Sequence, residues 1–262
     1  MISMVGFAPH PPIIVPAVGR DRISEAEKTV SGMRELSRLI KGADPELLIL
    51  ITPHGPARRN APLIQTSPLL RGDFGRFGAP GEEVYFNSDL ELIEILKSQI
   101  WPDTQTPHFD SSEQLLDHGA TVPLYYLSEA GLQVPGLVIT FGFNTPEDLY
   151  RFGRQLRQAI DQRGLRVAII ASGDLSHCLQ AGAPAGYNPR GEDYDRLVVE
   201  LFEKGSPRDL LDIDSQLVQD AAECGFRSFV IALGAVHGDN LATSVLSYEA
   251  PFGVGYMVAV MK

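Results

Sequence analysis

The sequence predicts a single α/β domain, and three observations carry that prediction. Short apolar runs bounded by glycine and proline recur along the chain, longer segments with helical periodicity lie between them, and no Ser/Gly-rich or charged linker breaks the alternation. The first strand is Ser3–Ala8, followed by a helical pattern over Ile23–Ile40 and a second strand at Leu47–Thr52. Asp89–Ser98 reads as the next helix, and Thr121–Leu127 is an apolar segment that follows a polar turn. Leu137–Phe141 is the third strand. After it, Thr145-Pro146-Glu147-Asp148 supplies a hydroxyl cap, a proline at the first helical position and acids facing the helix dipole, so a helix is expected over Pro146–Gln162. Val167–Ser172, rich in β-branched residues, is the fourth strand. Gln180–Gly191 is an irregular excursion, Asp193–Phe202 and Arg227–Val236 read as helices, and Ser247–Val260 as one or two strands bent by glycine.

Composition narrows the function classes. A chain of 262 residues with 44% hydrophobic side chains buries roughly three quarters of its unfolded surface, so it needs no structural metal, and any bound metal is functional. The net charge of −11 opposes a nucleic-acid partner, which would call for a basic stripe. Two cysteines, Cys178 and Cys224, are too few for a disulfide framework, and the opening residues lack the pattern of a signal peptide. Apolar runs such as Leu47–Ile51 and Val167–Ala171 fall well short of the roughly 18 residues that span a bilayer. A soluble, cytoplasmic protein with neither nucleic-acid nor membrane partners is expected.

Histidine placement carries most of the information. His10, His54 and His177 each stand just after an expected strand, at its C-terminal end. In open α/β sheets ligands bind along that edge, so three strands would deliver imidazoles to one crevice. A lone histidine beside proline is usually a solvated loop residue; three at equivalent strand ends point to a shared site. His118, in Leu-Asp-His-Gly-Ala, occupies the polar turn before Thr121, whereas His108 and His237 lie in polar loop sequence and are expected at the surface. Glu223 has two readings, an anionic metal ligand or an acid complementing the dipole of the following helix. Its neighbour Cys224 is a ligand candidate or a packing residue. Asp174 either orients His177 or caps the next turn. Two histidines and a carboxylate leave coordination positions open, a set used by non-haem Fe(II) oxygenases and equally by zinc hydrolases.

The motifs Pro9-His10-Pro11-Pro12, Thr52-Pro53-His54, Asp117-His118-Gly119, Ser172-Gly173-Asp174-Leu175-Ser176-His177 and Glu223-Cys224-Gly225 with Arg227-Ser228 resemble, in order and spacing, the class III extradiol ring-cleavage dioxygenases. Gly72-Asp73-Phe74-Gly75 and the segment Ser247–Tyr256 are similar in particular to the dioxygenase-like domain of the AmmeMemoRadiSam system. The resemblance covers nearly the whole chain. It implies a three-layer α/β/α domain with a mixed central sheet over residues 1–262, with Fe(II) held by His10, His54 and Glu223. It further implies that His177 is the acid/base and that His118 is a second active-site histidine touching a catecholic substrate, which is cleaved with dioxygen. In the related Memo proteins a cysteine resembling Cys224 takes the third metal position. Adjacent residues do not easily point into one site, and carboxylate suits ferrous chemistry better than thiolate, so Glu223 is the expected ligand. Phe74–Pro80 could roof a flat ring. A homo-oligomer, or a small partner subunit such as some relatives carry, is the remaining expectation.

Overall fold

A computed structural model of the chain describes residues 1–58, 60–101, 106–113 and 115–262. Every side chain of Leu47–Thr52, Gly136–Thr140 and Val167–Ser172 is buried, as an unbroken apolar run must be when helices cover both faces of a sheet. Among the described residues the strands are β1 (Ile2–Ala8), β2 (Leu47–Thr52), β3 (Leu63–Gln65), β4 (Leu69–Phe74), β5 (Ala79–Asn87), β6 (His108–Asp110), β7 (Gly136–Thr140), β8 (Val167–Ser172), β9 (Thr243–Glu249) and β10 (Tyr256–Met261). The helices are α1 (Pro16–Gly19), α2 (Glu27–Gly42), α3 (Leu90–Ser98), α4 (His118–Glu129), α5 (Pro146–Arg163), α6 (Arg190–Glu203), α7 (Ser215–Ala221) and α8 (Phe226–Ala235).

Eight strands form one sheet in the order β6-β3-β7-β2-β8-β1-β10-β9, and β4 and β5 make a separate ribbon. The central strands β7, β2, β8 and β1 run parallel, while β10 joins β1 and β9 joins β10 antiparallel. The sheet is therefore mixed, and the expected three layers are present. Their cause is the period-two alternation of the strands. Val5, Phe7, Leu47, Ile49 and Ile51 point to one face, where Phe152 and Ile160 of α5, Phe202 of α6 and Phe229 of α8 pack. Met4, Ala8, Leu48 and Leu50 point to the other, against Met33, Leu36 and Ile40 of α2 and Ala120 and Val122 of α4. At roughly 1.5–3 kcal/mol per fully buried large apolar side chain, these two cores dominate the stability of the fold.

The four expected strands and the helices of the parallel half are where the sequence placed them, with Thr145 Oγ1 accepting from Asp148 N as the cap of α5. The tail resolves into β9 and β10, and Gly253, at φ +74°, supplies the left-handed turn between them. Unforeseen was the β4–β5 ribbon. Its outer face carries Arg71, Glu83 and Tyr85, while Leu70, Phe74, Ala79, Val84 and Phe86 reach the core under α4, so the apolar signal of each strand is diluted. Among the described residues no helix is long and apolar enough to cross a membrane.

Candidate metal centre

Strands β2, β8 and β1 are adjacent and parallel, so their C-terminal ends deliver His54, His177 and His10 to one crevice. His10 Nε2 and His54 Nε2 face each other at 3.0 Å, with ring centroids 4.9 Å apart. His118 is not in a turn, as the sequence suggested. It is the first residue of α4, because the Asp117 carboxylate accepts from Ala120 N and starts the helix there. From that position its ring stacks on His54 at 4.5 Å and 14°. His108 and His237 stand apart as expected, the first accepting from Arg58 and the second hydrogen-bonded to Tyr150 Oη.

The fourth wall comes from the start of α8. A Cβ on Gly173 would lie 2.0 Å from Gly225 Cα, so the end of β8 and the approach to α8 touch backbone to backbone. Asp174 O accepts from Gly225 N at 3.0 Å and from Cys224 N at 3.3 Å, which fixes the register of the two segments. Cys224 Sγ is thereby set 3.7 Å from His10 Nε2 and 3.8 Å from His177 Nε2. Glu223, the expected third ligand, turns the other way: its Oε2 accepts from Phe226 N at 2.5 Å and caps α8. In this structure the Glu223 carboxylate is engaged with α8 and not with the crevice. Consecutive side chains diverge, and the bare N–H groups of α8 claim the carboxylate, leaving the crevice to the sulfur. Two groups of donor atoms, His10–His54–Cys224 and Asp174–His177–Cys224, each lie within 4.8 Å of one another, and Glu223 is in neither.

The imidazoles are prepared as neutral donors. Burial pushes His10, 1% exposed, down to about 3, and the neighbouring histidines add to this against the opposing Asp174. His54 and His118 are lowered mainly by burial as well. Ser172 fixes the His10 tautomer: its hydroxyl donates to Gly119 O at 2.6 Å, so its contact of 2.9 Å with His10 Nδ1 must be an N–H donated by the ring. The Nε2 lone pair is left facing the crevice. His177 differs from the rest. Burial would lower it, but the Asp174 carboxylate, 3.8 Å from Nε2, prevails and raises it. Burial drives the Cys224 thiol well above its ordinary range and lifts Glu223 to about 7. Asp174 stays low despite burial because His10 and His177 stabilise its charge and His10 N donates to Oδ1 at 2.9 Å.

Beside the cluster opens a cavity of about 740 Å³, lined by Asp73, Arg76, Phe77, Asp117 and the rings of His54 and His118. Phe77 stands edge-on to His118 at 5.5 Å, whereas Phe74 is fully buried against Tyr125, so only part of the expected roof faces the cavity. A volume of this size accommodates a small organic molecule.

Sequence reasoning did not find Asp195. On α6 and 1% exposed, it accepts from Ser176 N and from Tyr248 Oη, each at 2.8 Å, and so pins the loop that carries His177. Burial lifts its carboxyl to about 6, above the roughly 3.9 of an unfolded chain. The folded state thus holds that proton more tightly, and stability contributed by the group falls as pH rises from about 4 through 6. Asp195→Asn keeps an acceptor for Ser176 N and lets Tyr248 Oη accept from the amide. Thermal unfolding near pH 8 should find this variant at least as stable as the parent, with its advantage gone by about pH 4. A clear loss at pH 8 would mean that the charge itself holds the loop.

Known proteins bear on the fold and the class. The chain is 34% identical over 272 residues to Protein CA_C1420 of Clostridium acetobutylicum, a match that takes in all of this chain and 58% of that protein's length. An uncharacterized protein of Escherichia coli K12, JW3007, superposes with a TM-score of 0.62 at 17% identity over 99% of both chains, a likeness of fold. Residues 5–259 match the family described as the catalytic LigB subunit of aromatic ring-opening dioxygenase, and the chain belongs to that family.

Proposed function

We propose that this chain is a non-haem Fe(II) dioxygenase that opens a catechol-type ring on its extradiol side, with the ion held by His10, His54 and Cys224. Family membership supports the reaction class. The observation that carries the site is the pair of Nε2 atoms at 3.0 Å, with the His10 tautomer set by Ser172 so that its lone pair faces inward. The donor set fits a divalent transition metal, since imidazole and thiolate both ligate iron and the neutral rings present no positive charge to repel it. When bound, ferrous iron supplies the template and electron path through which a catechol and dioxygen react, both oxygen atoms entering the ring-opened acid.

The remaining work falls to the chain. His177, whose basicity Asp174 raises, takes a hydroxyl proton at Nε2 as the catechol binds and returns it as the ring opens. His118, stacked on His54 and facing the cavity, steadies developing negative charge by hydrogen bonding. Phe77 and the His118 ring offer flat surfaces to an aromatic substrate. Protein loaded with Fe(II) under anaerobic conditions should consume oxygen only when a catechol is supplied. His177→Ala should keep its iron and turn over at least ~100-fold more slowly.

A second reading has its own support. Cys224 stands where the resemblance put a carboxylate, as in Memo-like proteins that bind metal without cleaving rings. Stoichiometric iron without oxygen uptake on a panel of substituted catechols would favour it.

A further inference from the structure

The geometry points to a crevice that holds two metal ions sharing the Cys224 sulfur, one among His10, His54 and Cys224 and the other among Asp174, His177 and Cys224. This rests on the metal-holding half of the proposal above and goes beyond its single ion. Bonds of about 2.0–2.3 Å to nitrogen, oxygen and sulfur put neighbouring ligands of one tetrahedral ion roughly 3.3–3.6 Å apart. The first group shows 3.0 Å between its nitrogens and 3.7 Å from nitrogen to sulfur. In the second, His177 Nε2 lies 3.8 Å from both Asp174 Oδ2 and Cys224 Sγ.

Asp174 gives the independent reason for a second ion. One of its oxygens is taken by His10 N, while the other stands 3.8 Å from His177 Nε2 and 4.0 Å from His10 Nε2, beyond hydrogen-bond range. A carboxylate oxygen at this spacing from an imidazole nitrogen, on a residue only 7% exposed, leaves room for a cation between the two. The two groups have only the sulfur in common, and a thiolate has lone pairs for two ions. Occupancy of the second position takes the Nε2 lone pair of His177, the atom assigned to proton transfer. The one-ion form is then the form able to turn over, and the two-ion form is silent.

Metal-free protein titrated anaerobically with Co(II) tests this without reference to activity, with bound cobalt counted after unbound metal is removed. Wild type should saturate at two equivalents, the thiolate-to-cobalt absorption growing through both, and His177→Ala should saturate at one. Magnetic coupling through the shared sulfur should also weaken the paramagnetic resonance signal per cobalt in wild type relative to His177→Ala. Saturation of wild type at one equivalent, or two equivalents in His177→Ala, would overturn the second ion while leaving the first in place. No bound cobalt at all would overturn both this inference and the metal reading beneath it.

Discussion

Cys224→Ala is expected to lower metal affinity by about two orders of magnitude or more, whereas Glu223→Gln, one residue earlier, should leave it within a few-fold. Altering a group that merely supports a ligand already costs about 10–100-fold, and loss of the ligand itself costs more. Two imidazoles alone would then hold the ion, because Cys224 Sγ is the atom that completes the first donor group. Glutamine at position 223 can still accept from Phe226 N, so the cap of α8 survives. The sign of the pH dependence follows from the thiol. Burial drives it well above its ordinary range, so metal uptake must displace a proton, and affinity should rise roughly tenfold per pH unit as pH increases. Competition against a chelator at several pH values measures both effects. Metal lost from Glu223→Gln but kept in Cys224→Ala would return the third position to the carboxylate.

Gly173→Ala is expected to disrupt both the fold and the crevice. The added methyl would sit 2.0 Å from Gly225 Cα and 2.8 Å from Gly225 N, backbone atoms that no rotamer change can move. Relief requires the end of β8 to part from the start of α8, breaking the bonds from Gly225 N and Cys224 N to Asp174 O. Overpacking of this kind costs about 1–3 kcal/mol, and the lost hydrogen bonds add to it. The separation moves Asp174 and His177 away from Cys224, so protein that still folds should carry less metal. Gly182→Ala is the control: a Cβ there meets nothing within 4 Å. Thermal unfolding and a metal count on both variants decide the matter, and a Gly173→Ala protein with full stability and metal would refute the contact.

Much of the crevice was legible because strand ends are legible. Val167–Ser172 and Leu47–Thr52 are apolar up to a closing hydroxyl residue, so His177 and His54, which follow them, could be assigned to one edge of a sheet. The choice between Glu223 and Cys224 could not be read the same way. It turns on which of two adjacent side chains the N–H of Phe226 captures, a matter of where α8 begins to within one residue. Ser172 was hidden in plain composition, as one of three hydroxyls that end the apolar strands β2, β7 and β8, and its importance appears only when Gly119 O is found beside it. The β4–β5 ribbon escaped because alternation with charged residues such as Glu82 and Glu83 resembles solvated loop.

The position of β1 has a consequence for how the protein is made. Its two neighbours in the sheet are β8 and β10, so β1 leaves the ribosome well before either partner, both being synthesised after residue 166. At roughly 5–20 residues per second, Met4, Val5 and Phe7 wait on the order of ten seconds or more without partners. Such long-range closure slows folding and exposes an apolar strand while it lasts. His10 travels with that strand, and Cys224 arrives later still, so the donor group of His10, His54 and Cys224 is complete only after the middle of the sheet has shut around β1.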